Sequence, residues 1–159
     1  MVENKPRFVN ITEETKQELL SGMRYLDYEE FEAGKEGKDN SDLEQLNKLI
    51  NSCQFNYACY IGEDLLFCSG LRLNAFYNVL SVFWLLSTQK VQKHRISYFK
   101  ALKTLCKEYL THSPQGIMCT ISEHYEQAYK LAKIFNFKKI GEATLDKLKH
   151  FIYILLGDN

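Results

Sequence analysis

The stretch from Asn78 to Ser122 constrains the fold more than any other. It opens with "NVLSVFWLLS", apolar enough to be a central strand buried on both faces. The segment "STQKVQKHRISYFKAL" then carries the chain through a basic turn into a helix. Ile96, Phe99, Leu102, Leu105, Cys106, Tyr109 and Leu110 recur at helical spacing, with Lys93, Lys100, Lys103 and Lys107 on the opposite side. "HSPQ" ends that helix and "GIMCTIS" reads as the next strand. Strand, helix and strand in this order make one central βαβ crossover, around which the remaining elements must be arranged.

Before the crossover, "RFVNI" reads as a short strand, and Thr12 offers an N-cap with Glu13 and Glu14 in the first helical turn. The helix that follows is expected to carry Leu19, Leu20, Met23, Tyr25 and Leu26. "AGKEGKDNSD" then breaks it, and residues 33–42 are expected to form a mobile loop. Ser41 or Asp42 caps a short helix through Leu43, Leu46 and Leu49. "FNYACYIG" and "LLFCSGLRLN" flank Gly62-Glu63-Asp64 as a hairpin. After the crossover, Ser122 is expected to cap a helix with Ala128, Leu131, Ala132 and Phe135 buried. Asn136 stands where a left-handed residue would end it. "FKKIGEA" and "HFIYILLG" read as two last strands joined by the charged loop "TLDKLK". The order is β-α-α-β-β-β-α-β-α-β-β, an α+β pattern expected to form a single domain over residues 1–159.

Formal charge is zero, so whole-protein attraction to nucleic acid or to an anionic membrane is not indicated. The charge is unevenly spread: acidic residues dominate from Glu13 to Glu44, basic ones from Lys90 to Lys107. The five cysteines (Cys53, Cys59, Cys68, Cys106, Cys119) form no CxxC, and all but Cys53 sit in apolar runs. They read as free thiols in a reducing compartment. "MVENKPRFVN" has no apolar signal region and "VFWLL" is too short to span a bilayer, so a cytoplasmic protein is expected. His94, His112, His124 and His150 give no zinc spacing with these cysteines, and no metal site is expected. Neither GxxxxGK[ST] nor GxGxxG occurs. Tyr57, Tyr60, Phe67, Phe76, Tyr77 and Phe83 read as strand core, since only Arg72 stands beside them to serve a nucleic acid.

At "YKLAKIFNFKKIGE" followed by "HFIYIL" the chain resembles the C-terminal half of the GNAT acyltransferase fold. Leu131 to Phe137 falls on the family's "LYxxxGF" pattern with Asn136 in place of glycine, and "FWLLST" through "FKAL" falls on its fourth strand and cofactor helix. The likeness covers Asn56 to Leu155. It implies a mixed, mostly antiparallel central sheet with a βαβ crossover and helices on both faces. Phe83 to Thr88 is also similar to the "W(M/L)LGT" of phage-encoded GNAT-like proteins, with Ser87 replacing glycine.

What the resemblance implies for function is an acyl-CoA-dependent N-acetyltransferase, or an acyl-CoA-binding relative, with altered cofactor and catalytic motifs. Acetyl-CoA is the implied cofactor, and an amine-bearing small molecule or protein the acceptor, seated near the hairpin and the acidic N-terminal helices. Backbone amides of Leu85, Leu86 and Ser87 would hold the pantetheine arm. The family's phosphate-binding turn falls on His94, Arg95, Ile96, Ser97, Tyr98 and Phe99, with Lys93 adding charge, against a reading of the segment as a solvated basic helix start with Ile96 and Phe99 in the core. The physical basis of such a turn is general, because helix N-termini present free N–H groups to phosphate. Ser97 and Phe99 occupy two positions that are small in the family, and Phe99 is expected to stand in the path of the pyrophosphate.

The catalytic residues are open. No Asp or Glu lies between Asp64 and Glu108, so the third and fourth strands carry no carboxylate base. The family's proton-donating Tyr falls on Ala132. Tyr125 and Tyr129 are candidates for the acid, against a reading of both as packing aromatics. His124 is a candidate base, against a reading as a surface histidine. The alternative function is a non-catalytic structural or interaction protein of the same fold, with virion proteins as partners and the phage virion as its location if the phage likeness extends to role.

Overall fold

The computed structural model describes residues 5–35, 40–145 and 147–157. Of the expected mobile loop (33–42), residues 36–39 lie outside the described residues.

The elements are β1 (Arg7–Val9), α1 (Glu13–Gly22), α2 (Tyr25–Ala33), α3 (Asp42–Asn51), β2 (Phe55–Ile61), β3 (Asp64–Phe76) and β4 (Leu80–Ser87), then a 3₁₀ turn (Gln89–Lys93). α4 (Arg95–His112), β5 (Gly116–Ser122), α5 (Glu126–Ile134), β6 (Lys138–Leu145) and β7 (Leu148–Leu156) complete the chain. The strands form one sheet in the order β1-β2-β3-β4-β5-β7-β6. Every neighbouring pair is antiparallel except β4–β5, which the crossover helix α4 makes parallel. The mixed α+β class and the mostly antiparallel sheet read from the sequence are those observed.

Local chemistry accounts for most boundaries. The Thr12 hydroxyl accepts from the Thr15 amide (3.2 Å) and the Ser41 hydroxyl from the Glu44 amide (3.1 Å), capping α1 and α3. Gly62 turns the β2–β3 hairpin at φ 57°. Asn136 sits at φ 68°, with the Phe137 amide donating to Ala132 O (2.9 Å) and the Asn136 amide to Lys133 O (3.0 Å), a Schellman end to α5.

Three boundaries differ from expectation. The helix after Thr12 is two helices, because Met23 and Arg24 are extended (ψ 139° and 149°). Met23 bridges Thr88, and the Arg24 amide donates to Ser87 O (2.9 Å), so the end of β4 pulls this segment out of helical geometry. Ser122 does not cap α5, which starts only at Glu126; its hydroxyl accepts instead from the His124 amide (3.2 Å). The "TLDKLK" loop is shorter than expected, since Leu145 and Leu148 are already paired.

Alternate residues of the strands feed two cores, one on each face. Cys59 and Ile61 pack with Phe67, Leu102, Leu105 and Tyr109 against α4 and α5. Ala58 and Tyr60 pack with Leu19, Phe31, Leu46 and Leu86 against α1, α2 and α3. Burying each of the Leu, Ile and Phe side chains among them contributes roughly 1.5–3 kcal/mol. A buried polar chain crosses the first core: the Tyr109 hydroxyl donates to Ser69 Oγ (2.8 Å), which donates to Trp84 O (2.6 Å).

The parallel pair is the irregular place. β5 pairs with β7 from Gly116 to Ser122, but with β4 only at Ser81↔Ile117 and Val82↔Met118. Beyond those residues β4 and β5 part and the sheet opens in a V. Gly116 lies at the apex with φ 149°, and a Cβ there would come within 2.8 Å of the Leu80 side chain and 2.9 Å of Leu155 O. Among the described residues no helix is long and apolar enough to cross a membrane.

Candidate active site

The V holds a cleft of about 500 Å³ that runs from the N-terminus of α4, past the ends of β4 and β5, to the far end of α2. Its walls are Leu85 and Leu86 on one strand and Cys119, Thr120 and Ile121 on the other. α2 lies along it with Asp27, Glu30, Phe31 and Gly34. Those positions are three, four and seven residues on from Asp27, so they form one helical stripe.

The strand edges are addressed differently from residue to residue. The Thr88 amide donates to Leu66 O (2.9 Å), so by strand alternation Leu86 also serves β3. Ser87 and Leu85 therefore turn their backbone groups toward the gap. The Ser87 pair is taken: its amide donates to Asp27 Oδ1 (3.0 Å) and its carbonyl accepts from the Arg24 amide. Leu85 lies where β5 has already diverged, and its N–H and C=O face the cleft.

A polar cluster stands at the end of β4. Asp27, 2% exposed, accepts from the Ser87 amide, the Tyr125 hydroxyl (2.7 Å) and Arg24 Nε (3.0 Å). Burial pushes its carboxyl up from the usual range, while Arg24 and the other two donors pull it back. The Arg24 guanidinium lies 5.6 Å from the Tyr98 ring centre and 5.3 Å from that of Tyr125, between two aromatic faces. The Tyr98 hydroxyl is 2.7 Å from Ser87 Oγ and shares a hydrogen bond with it.

One turn along α2, Glu30 is half-buried and accepts from the Ser122 amide (2.5 Å) at the end of β5. Burial raises its carboxyl to about 7, with the charge of Asp27 and Glu29 adding to the rise and the Ser122 bond opposing it. A carboxylate that titrates near neutrality, facing a cleft, can exchange protons with what enters.

At the other end, α4 begins without a side-chain cap. Its first internal bond runs from the Tyr98 amide to His94 O (2.8 Å), so the amides of Arg95, Ile96 and Ser97 have no backbone partner among the described residues. Arg95 lines the cleft and bonds Gln92 Oε1 (2.8 Å). His94 Nε2 instead meets Asp64 Oδ2 (2.8 Å), and that bond holds the Asp64 carboxyl below its ordinary range.

Of the sequence-predicted residues, Leu85, Leu86, Arg95, Tyr98 and Tyr125 line the cleft. Ser87 closes its head through Asp27. Lys93 and Ile96 are exposed, Ile96 at 74%, and Ser97 is half-buried at the helix start. The Phe99 ring stacks on Phe135 (4.8 Å between centres), tying α4 to α5, and is not among the cleft-lining side chains. Tyr129 packs edge-on against Phe151 (5.7 Å), and His124 is an exposed neighbour of Glu123. Among the described residues no cluster of three metal-ligating side chains occurs.

Sequence reasoning missed Arg24, Asp27 and Glu30. The one available signal was the spacing of Asp27, Glu30, Phe31 and Gly34, which places two carboxylates on the same stripe as a phenylalanine.

The fold, a mixed sheet with one parallel pair joined by a crossover helix, is similar to that of solved GNAT acetyltransferases. An N-acetyltransferase from Staphylococcus aureus Mu50 superposes with a TM-score of 0.70 at 14% identity, over 96% of this chain and 98% of its own. The spermidine N-acetyltransferase from Vibrio cholerae, solved in complex with CoA and spermine, gives 0.71 at 9% identity, over 96% of this chain and 95% of its own. A GNAT-family acetyltransferase from Bacillus anthracis gives 0.68 at 9%, over 98% and 97%. No family model and no curated protein sequence matches the chain.

Proposed function

We propose that the protein is an acyl-CoA-dependent N-acyltransferase, with the thioester in the V between β4 and β5 and the amine acceptor on the α2 side. The observation that carries this reading is the continuity of one cleft from three unpartnered helix-start amides to a carboxyl poised near neutrality. An acyl-CoA would supply a thioester whose acyl group an amine can take with release of a thiol.

The residues fit such a cofactor. The amides of Arg95, Ile96 and Ser97, with the Arg95 guanidinium beside them, suit a pyrophosphate. The backbone of Leu85 suits the amide groups of a pantetheine arm. Phe99 leaves the helix start open by packing on Phe135. Glu30 takes the proton of the incoming ammonium, and orientation within the cleft supplies much of the rest of the acceleration. Tyr125 is a positioning residue: its hydroxyl donates to Asp27 (2.7 Å) and burial raises that hydroxyl well above the usual range, so the leaving thiolate takes its proton from solvent. Ser87 and Asp27 act through position: they hold the end of β4 and fix Tyr125.

Thermal melting with and without acetyl-CoA tests the binding half. Saturation at about 100 times Kd stabilises by about 2.7 kcal/mol. The shift is expected in the wild type and lost in Arg95→Glu; no shift at millimolar cofactor overturns the reading. Release of free thiol against a panel of primary amines tests turnover. Binding without turnover on any amine would favour the non-catalytic alternative.

A further inference from the structure

Cys119 combines two properties that an ordinary core residue does not. It stands in the middle of β5, paired with Tyr153 of β7 and packed on the α4 and α5 side, yet it keeps accessible surface. Burial nonetheless pushes its thiol well above the usual range, with Cys106 and Glu30 adding to the rise. A group that is deep and still has surface lines a void inside the molecule, not its outer face. Phe83 in β4, Cys106 in α4 and Ala128 in α5 share the pattern. All three are half-buried, pack against the first core and line the cleft. The cleft thus continues between the sheet and these two helices as a gallery.

The gallery is apolar. Of its four side chains only the thiols are polar, and they stay protonated at neutrality, since burial raises Cys106 to about 12 and Cys119 further still. Its inner end is shut by the Phe83 ring, which leans on Tyr109 (5.8 Å between centres) and Phe137 (6.1 Å). Phe83 is also the first β4 residue beyond the two that pair with β5, so the gallery ends where the sheet closes. An apolar space left open forgoes the packing that larger side chains would give. Such a space holds water poorly and takes apolar ligands.

The direction of the cleft puts this space at the acyl end of the donor. Phosphates at the amides of Arg95 to Ser97 and a pantetheine arm at the Leu85 backbone run from the mouth of the V toward its apex. Phe83 lies two residues further in, on the same face of β4 as Leu85. The amides of the arm need hydrogen-bond partners, which the gallery's side chains lack; an alkyl chain needs none. We infer that the protein transfers an aliphatic acyl group longer than acetyl, whose chain lies in the gallery and ends against Phe83. The inference rests on the acyltransferase reading for the place of the thioester, and on the gallery alone for the length of the chain.

Binding reads this without turnover. Titration calorimetry of the wild type with acetyl-, butanoyl- and hexanoyl-CoA is expected to give a Kd about fourfold lower for each added methylene, the equivalent of about 0.8 kcal/mol per buried CH₂. Cys106→Leu fills the gallery, so in that variant hexanoyl-CoA is expected to bind no tighter than acetyl-CoA. Ala128→Leu is expected to do the same, and carries the test if the melting temperature shows Cys106→Leu to be unfolded. In the wild type, kcat/KM for transfer to a primary amine should rise in the same order of donors. A wild type that binds hexanoyl-CoA no tighter than acetyl-CoA overturns the inference while the acyltransferase reading stands. A gain with chain length that the folded leucine variants retain also overturns it, because the chain then lies elsewhere. A gain that they abolish, in a protein that acylates no amine, keeps the gallery and sinks the acyl transfer. No binding of any acyl-CoA sinks both.

Discussion

Glu30 shows how much a single carboxyl depends on what it faces. In an acidic segment that reads as a solvated surface, it turns inward to the Ser122 amide and is raised to about 7 from an ordinary 4.5. Between those two values the folded chain holds a proton that the unfolded chain has shed. Stability from that proton is complete below about pH 4.5 and lost by about pH 7. Glu30→Gln, which keeps an oxygen for Ser122, is therefore expected to melt higher than the wild type at pH 8, by on the order of 2 kcal/mol after allowing for its partial exposure. That advantage should vanish below about pH 4.5. Activity runs the opposite way: as a general base Glu30 must be unprotonated, so kcat/KM should rise with pH through about 7, and the variant should lose that limb. A titration of kcat/KM from acid to alkaline pH in both proteins checks it.

At the scale of elements, the end of β4 and the start of α2 hold one another through Asp27. Asp27→Ala leaves the Ser87 amide, the Tyr125 hydroxyl and Arg24 without their acceptor. Loss of about 3 kcal/mol is expected, as for other broken buried pairs, read from the midpoint of urea unfolding. At the apex of the V, Gly116→Ala forces a Cβ against Leu80 and Leu155 at a φ that L-residues avoid, and should cost at least about 2 kcal/mol by the same measurement. These elements were legible in the sequence to unequal degrees. The crossover, the β2–β3 hairpin, the Thr12 and Ser41 caps and the left-handed Asn136 rest on local periodicity and local hydrogen bonds, which sequence spacing records. The break at Met23 and Arg24 is imposed by Thr88 and Ser87, far away in the chain, and no local signal carries it. Asp27 and Glu30 were hidden for the same reason: a residue's charge is written in the sequence, but the partner it faces is not.

Across the whole molecule the charges cancel but are unevenly spread: Lys90 to Lys107 holds six Lys or Arg and no acidic residue, while Glu13 to Glu44 holds eleven acidic residues against four basic ones. A cofactor carrying phosphates should meet the first and an amine the second. Added salt is therefore expected to weaken acetyl-CoA stabilisation steeply up to about 0.5 M, as the Debye length shrinks, while unliganded stability, set by two apolar cores, changes little. Melting curves with and without cofactor across a salt series measure both.

The clamp between the first and last thirds of the chain also bears on how the protein is made. Asp27 and Glu30 leave the ribosome early, but Asp27's partners Ser87 and Tyr125 follow 60 and 98 residues later, and Glu30's partner Ser122 follows 92 residues later. At about 5–20 residues per second, α2 waits on the order of 5–20 s for β5 and α5 to emerge. During that interval the abundance of carboxylates from Glu13 to Glu44 keeps an undocked helix in solution, where an apolar one would seek another nascent chain. The acidic stretch thus serves the chain twice over time, first as a solubilising escort and then, folded inward at two of its residues, as one wall of the cleft.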